Sequence, residues 1–349
     1  MLITAWRDLQ WRRRRFVIAI IGTGIVFAMT LVLTGLANGF RAEARHTVDS
    51  LSFDAYLIKA GAVGPFQGSA PFPEAVATGV ARIPGVTSAT PLVFGVGVLQ
   101  DRSASQNLNV FGVSEHGTGM PTVAAGAAPS SPVEIAVSNT LGRAVGNDLQ
   151  ISSRTPRIVG LVDNSTALAG QANVFFTVAG AQQMLFSGQP LVSAIGLRGI
   201  PAEIPDGYQI VHRDVAVDDL LRPLQKALGA ISYLAILLWA VAALIVGSLI
   251  YLSALERTRD FAVFKAVGVT TRSVLAGLAL QAVVVAVVAA VLGALLSLGL
   301  GPLFPIRVVV PISAFVLLPV IAVVIGLLAS VAGMRRVMTV DPALAFGGP

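Results

Sequence analysis

Cysteine is absent from this chain of 349 residues, and charge is scarce, with Asp, Glu, Lys and Arg making up 12% of it. The missing cysteine excludes a disulfide framework, a lipid-anchoring cysteine and a thiolate metal site. Charge at about half the level of an ordinary soluble domain excludes a simple solvated globule. The three histidines, His46, His116 and His212, are too far apart for ligand spacing, so no metal centre is expected. No G-x-S-x-G, H-E-x-x-H or G-x-x-x-x-G-K-[ST] pattern occurs, and none of the three lysines follows a glycine. The chain therefore does not bind ATP through a phosphate-cradling loop of its own. His212-Arg213-Asp214 and Asp260-Phe261-Ala262 imitate kinase fragments but lack the Gly-rich loop and strand lysine that give those fragments meaning. The long apolar runs hold no Asp, Glu, Lys, Arg or His. An ion-driven carrier keeps such groups at membrane depth, so that class is disfavoured.

What is abundant is apolar length. Hydrophobic residues form 55% of the chain and the mean hydropathy is +0.79. A bilayer core of about 30 Å takes about 20 apolar residues of helix, because backbone polar groups must be paired inside lipid. Four uncharged runs, at residues 16–40, 227–255, 273–306 and 308–334, are long enough. Pro302 and Pro305 end the third helix near Leu300, which gives spans at 16–40, 227–255, 273–301 and 308–334. The first run is longer than the about 7–15 apolar residues of a signal peptide, so it reads as an uncleaved helix.

Basic residues set the sidedness. Residues 1–15, 256–272 and 335–349 together carry eleven basic and four acidic residues, a net +7. Residues 41–226 with Arg307 carry thirteen basic and fourteen acidic residues, a net −1. The positive-inside rule places both termini and the 256–272 loop in the cytoplasm. The basic balance therefore reflects topology, and no basic, aromatic-laced surface points to nucleic acid.

Residues 41–226 read as an extracytoplasmic domain. Strands are expected at 55–59, 92–99, 107–113, 134–137, 148–151, 157–162, 173–178, 192–197 and 208–211. A helix is expected after Pro73, running to Pro84-Gly85, and a short one through Met184. From Asp214 the helical spacing of Val217, Leu220, Leu221, Leu224 and Leu228 predicts a stalk running into the second membrane helix, with Pro223 able to kink it. The fold class is a membrane protein with four transmembrane α-helices and an α+β extracytoplasmic domain inserted between helices 1 and 2.

Residues 255–275, LERTRDFAVFKAVGVTTRSVL, gather charge between two apolar runs. A topology signal needs only basic residues, yet Glu256 and Asp260 stand among Arg257, Arg259, Lys265 and Arg272. Phe261, Phe264 and Gly268 fall on one helical face, and phenylalanines in a cytoplasmic loop suit a partner's groove. The pattern Glu256-Arg257-x-Arg259-x-Phe261-Ala262-x-x-Lys265-Ala266-x-Gly268 resembles the cytoplasmic signature of MacB/FtsX-type ABC-transporter permeases. The amphipathic start (residues 1–15, with Trp6 and Arg12 to Arg15), the domain between helices 1 and 2, and the tail at 335–349 with Arg335-Arg336 and Asp341-Pro342-Ala343 resemble that family too. Residues 53–66 and 159–178 are similar to its DevC-like exporter branch. Two positions depart from the family pattern: Gln281 stands where a glutamate is common, and Leu344 follows Asp-Pro-Ala where an acid is usual.

The resemblance implies a non-catalytic permease subunit of a bacterial cytoplasmic membrane, pairing with a second permease copy or homologue as a dimer. It implies a separate cytoplasmic ATPase, with ATP and Mg on that partner and no cofactor here. It assigns ATPase coupling to Glu256, Arg257, Arg259, Asp260, Phe261, Phe264, Lys265 and Gly268, the phenylalanines filling a groove on the ATPase. The implied activity is export of a lipid, glycolipid, lipoprotein or hydrophobic drug by mechanotransmission. The alternative is a signalling permease that activates a cell-wall hydrolase or senses peptides without cargo.

Overall fold

The computed structural model describes residues 13–100, 105–114, 118–256, 263, 267–304 and 308–338. The chain divides into two compact units, one of residues 1–39 with 227–349 and one of Phe40–Lys226.

The membrane unit is helical. Helix α1 spans Arg13–Ser50, and its residues up to 39 belong to this unit. A bilayer exit was read near residue 40, and the helix continues ten residues beyond it. Hydropathy marks where lipid ends; the helix itself persists because Ala44, Thr47, Val48 and Leu51 keep a buried face at helical spacing. In chain order, the unit's other helices follow those of the domain. The fifth, α5, spans Gln225–Glu256, the sixth, α6, Thr271–Leu300, and the seventh, α7, Ile312–Met338. Among the described residues three helices are long and apolar enough to cross a bilayer, at Phe16–Ser50, Arg222–Glu256 and Ala276–Leu300; α7 adds a shorter apolar stretch, Ile312–Leu328.

All four helices contribute to one buried cluster, which is mostly alanine: Ala242, Ala286, Ala289, Ala290 and Ala322 surround Phe27, Leu31, Leu318 and Ile325. Small residues allow backbones to touch. A Cβ on Gly293 would lie 2.7 Å from Phe27 Cβ and 2.8 Å from Gly24 O, and one on Gly326 would lie 2.9 Å from Val283 Cα. Asn38 Nδ2 donates to Val309 O at 2.9 Å, and Val309 N–H to Gly35 O at 3.0 Å, which ties the approach to α7 onto α1. These are the inter-helix bonds and small-residue contacts expected where lipid supplies no hydrophobic drive between helices.

The domain unit, Phe40–Lys226, is α+β. Among the described residues its strands are β1 (Ala55–Lys59), β2 (Phe72–Pro73), β3 (Val86–Gln100), β4 (Ser105–Val113), β5 (Val123–Gly126), β6 (Glu134–Ser138), β7 (Arg157–Val162), β8 (Thr166–Ala167), β9 (Gln171–Thr177), β10 (Leu191–Val192), β11 (Ala194–Gly199) and β12 (Tyr208–His212). Its helices are α2 (Val76–Val80), α3 (Val178–Leu185) and α4 (Arg213–Leu220). Ten strands form one mixed sheet in the order β12-β1-β11-β3-β4-β9-β6-β7-β5, with β8 paired to β9, and β10 pairs with β2 separately. The central pair, β4 with β9, is parallel, with Asn109 opposite Asn173.

Strand alternation gives the sheet two different faces. Leu57, Val93, Leu108, Val110, Val174, Phe176, Ile195 and Leu197 pack with Ala77 and Val80 of α2 and Ala181 of α3. The intervening residues Tyr56, Phe94, Phe111 and Phe175 build an aromatic layer on the other face. Phe66 enters this layer at 5.3–5.9 Å from the rings of Tyr56, Phe94 and Phe111.

Four expectations about the domain change. The helix after Pro73 ends at Val80, short of Pro84-Gly85. Residues 148–151 form only isolated bridges, to Arg157, Arg154 and Leu99, because turns on both sides leave too little extended chain. Residues 192–197 divide between two sheets at Ser193, whose hydroxyl accepts from Phe94 N–H at 3.0 Å. The stalk is not one helix: α4 ends at Leu220 and a 3-10 turn, Arg222–Leu224, precedes α5. Pro223 brings no N–H to a continuing α-helix and breaks it there.

Candidate functional site

The stretch that the sequence suggests for ATPase coupling lies between Glu256, the last residue of α5, and Thr271, the first of α6. Arg257, Arg259, Asp260, Phe261, Phe264 and Lys265 lie outside the described residues. Glu256, Val263 and Gly268 lie within them. Val263 is helical and exposed, and Val267 N–H donates to its carbonyl at 3.0 Å, a helical i to i−4 bond. Gly268 has φ +88°, a left-handed conformation open to glycine at a helix end. Thr270 then caps α6, its hydroxyl accepting from Ser273 N–H at 3.4 Å.

The domain has a second set of functional candidates, at the chain segments leading to and from the membrane helices. Where the chain leaves toward α5, Asp219 of α4 is buried and accepts from Phe66 N–H at 2.7 Å, Gly68 N–H at 2.9 Å and Arg222 Nε at 3.2 Å. A carboxylate with that many donors offsets its desolvation. It pins the loop 61–72, whose Phe66 plugs the aromatic layer. At the other end of α4, Arg213 donates to Phe53 O and bridges Asp54 at 3.1 Å. Tyr56 stands between Phe53 and Phe66, and its phenol has no hydrogen-bond partner among the described residues. Burial pushes that phenol above the usual tyrosine range; the Arg213 charge opposes the shift and Asp49 adds to it.

Two open grooves lie on the opposite face of the sheet. One, of about 630 Å³, runs along α2 past Glu74, Arg82 and Pro91. The other, of about 390 Å³, lies beside the start of α3 and shares Glu74 and Pro91. Glu74 Oε2 accepts from Gln182 Nε2 at 2.7 Å. No group of three or more potential metal ligands occurs among the described residues.

Sequence reasoning read residues 214–228 as a stalk and did not mark Asp219. At helical spacing Asp219 falls nearly opposite the apolar face made by Val217, Leu220 and Leu221, so its burial had no signal in the sequence. Asn109 and Asn173 were read only as strand residues, because each alternates with apolar neighbours (Leu108 and Val110, Ala172 and Val174) as a solvent-facing side chain would.

Two family models match the chain: the MacB-like periplasmic core domain over residues 16–207 and the FtsX-like permease C-terminal domain over residues 232–342. An uncharacterized ABC transporter permease of Mycobacterium tuberculosis is 63% identical over 349 residues, covering 100% of both chains. The hemin transport system permease protein HrtB of Staphylococcus haemolyticus is 20% identical and covers 99% of each chain. The macrolide export ATP-binding/permease protein MacB of Hahella chejuensis is 22% identical over 98% of this chain and 59% of its own length. The chain belongs to the MacB/FtsX-type family of ABC transporter permeases. Its family and its apolar helices make it a protein of the bacterial membrane, and the family implies a partner ATPase.

Proposed function

We propose that this permease is a non-catalytic membrane subunit that couples ATP hydrolysis by a separate cytoplasmic ATPase to movement of its extracytoplasmic domain, for export of a large amphiphile. One observation carries the reading: the apolar runs at 16–40, 227–255, 273–306 and 308–334 hold no Asp, Glu, Lys, Arg or His. A permease without intramembrane acids or bases has no proton or ion relay to drive it, so its energy comes from a partner. Among the described residues, the polar side chains buried in these runs, Thr23, Thr30, Ser253, Gln281 and Ser297, are all uncharged, which suits work done outside the bilayer. In this reading α7 is the fourth span, both termini are cytoplasmic, and two copies or two homologous permeases pair. Hemin and macrolides, for which two remote relatives are named, are both bulky amphiphiles, and this supports a cargo of that kind.

Phe261 and Phe264 fill a groove on the ATPase, with Glu256, Arg257, Arg259, Asp260 and Lys265 fixing register and Gly268 turning the chain toward α6. Replacing both phenylalanines by alanine is expected to abolish co-purification of the ATPase while membrane insertion persists. Normal co-purification would remove the coupling role. The signalling alternative keeps the same coupling and drops the cargo. An ATPase-inactive complex that loses amphiphile efflux supports export, and one that alters only the cell wall supports signalling.

A further inference from the structure

Residues 40–50 of α1 are part of the domain, and polar contacts hold them there beside the apolar packing of Phe40, Ala44 and Val48. Thr47 is fully buried on this segment, and its hydroxyl donates to Thr166 O at 2.8 Å. The same hydroxyl accepts from Asn173 Nδ2 at 3.1 Å, and Asn173 Nδ2 also reaches Ser165 Oγ at 3.1 Å. Asn173 Oδ1 in turn accepts from Asn109 Nδ2 at 3.0 Å, across the central strand pair of the sheet. One turn earlier on α1, Glu43 Oε1 accepts from Gly170 N–H at 3.0 Å. An unbroken series of hydrogen bonds thus runs from the helix through the β8–β9 hairpin to strands β9 and β4.

The hairpin itself is costly to build. Its three turn residues are all left-handed, with φ +52° at Leu168, +68° at Ala169 and +86° at Gly170, and Asn164 before them has φ +44°. Leucine and alanine rarely adopt this conformation, and backbone strain of that kind persists where surrounding structure enforces it. Leu168 is nevertheless buried, and Asn109 Oδ1 is left without a hydrogen-bond partner among the described residues. A helix end that needed only attachment to a sheet would be held by leucine and valine at lower cost. A strained hairpin and a buried amide pair instead fix one register and direction, since hydrogen bonds lose most of their strength when misaligned.

We propose that the β8–β9 hairpin is a clasp that fixes α1 to the middle of the sheet, with Thr47, Glu43 and Asn173 as positioning residues that pass displacement of the first membrane helix to strands β9 and β4. The proposal rests on the mechanotransmission reading above. The segment that carries Thr47 belongs to the same helix, Arg13–Ser50, as the first apolar run, which is the route the proposal gives to such a displacement.

The test is hydrogen exchange of the full chain with its ATPase in lipid nanodiscs, with and without ATP. In the natural protein ATP is expected to change exchange in β4, β8 and β9. The double variant Glu43→Leu, Thr47→Val is expected to keep nucleotide-free exchange and ATP hydrolysis while losing the ATP-dependent change in these strands. Glu43→Gln alone retains an acceptor for Gly170 N–H and is expected to keep the response. A full ATP response in the double variant would overturn the clasp and leave mechanotransmission standing. Faster nucleotide-free exchange across the whole domain in that variant would also overturn it, because the contacts would then serve the fold alone. No ATP response in the natural protein would remove the mechanotransmission reading and the clasp with it.

Discussion

The two units of this permease bury opposite kinds of side chain. The centre of the membrane unit is five alanines around four larger apolar residues, with Gly293 and Gly326 set against neighbouring backbone or Cβ atoms. One face of the domain sheet is a layer of aromatic rings, Phe111 stacking on Phe175 at 5.5 Å and meeting Phe94 at 5.1 Å. Solvent explains the difference. The domain folds in water, where removing a large ring from contact with solvent is the main gain. Helices inside lipid gain little by exchanging lipid contacts for side-chain contacts, and close approach through small residues holds them together.

The largest expected effect separates the two cores directly. Phe111→Ala should destabilise the domain by about 3–5 kcal/mol, from lost transfer energy plus a cavity. Phe27→Ala, on an equally buried ring in the membrane unit, should cost distinctly less because lipid tails solvate that ring when the helices part. Chemical denaturation of the full chain in detergent, followed by hydrogen exchange in each unit, measures both. Equal losses would break the comparison.

Asp219→Ala comes next, at about 3 kcal/mol, since it strips a charged acceptor from Phe66 N–H and Gly68 N–H. The loop 61–72 should become sensitive to limited proteolysis as Phe66 leaves the aromatic layer. Gly326→Ala should cost about 1–3 kcal/mol, read as a lower thermal midpoint, because its Cβ meets the backbone of Ala282 and Val283. The added methyl group should harm the membrane unit although it adds apolar surface.

The smallest effect concerns pH. Two hydrogen bonds from Ser130, the N–H at 2.9 Å and the hydroxyl at 3.0 Å, hold the Glu134 carboxyl below its ordinary value. A depressed carboxylate adds stability above its unfolded value and loses it as pH falls through its folded value. Glu134→Gln should therefore slightly flatten the acid limb of the domain's unfolding profile, and an unchanged acid limb would exclude that contribution. The apolar runs at 16–40, 227–255, 273–306 and 308–334, which carry no Asp or Glu, have no counterpart.

The sequence was most readable where lipid is the solvent. Apolar runs marked the helices because bilayer thickness sets their length, and the residues around Glu256 and Gly268 carried enough of a pattern to indicate the family. It was less readable where tertiary contacts decide. The ten residues of α1 beyond residue 40 were missed because Arg41, Glu43 and Arg45 mark the end of lipid, while burial of Ala44, Thr47 and Val48 is visible only in the fold. Pro223 was read as a possible kink and breaks the helix, a local effect of proline geometry. Asn109 and Asn173 gave no sign of pairing, since they are 64 residues apart and become neighbours only when β4 and β9 run parallel.

The central claim is that ATP used in the cytoplasm moves the domain outside. The cysteine-free chain allows a single spin label at Val145→Cys, an exposed loop position. Label-to-label distances between the two copies of the proposed homodimer, measured by electron–electron double resonance with the ATPase bound, are predicted to shift between nucleotide-free and ATP-bound states. An unchanged distance distribution, with ATP hydrolysis confirmed in the same sample, would contradict the account.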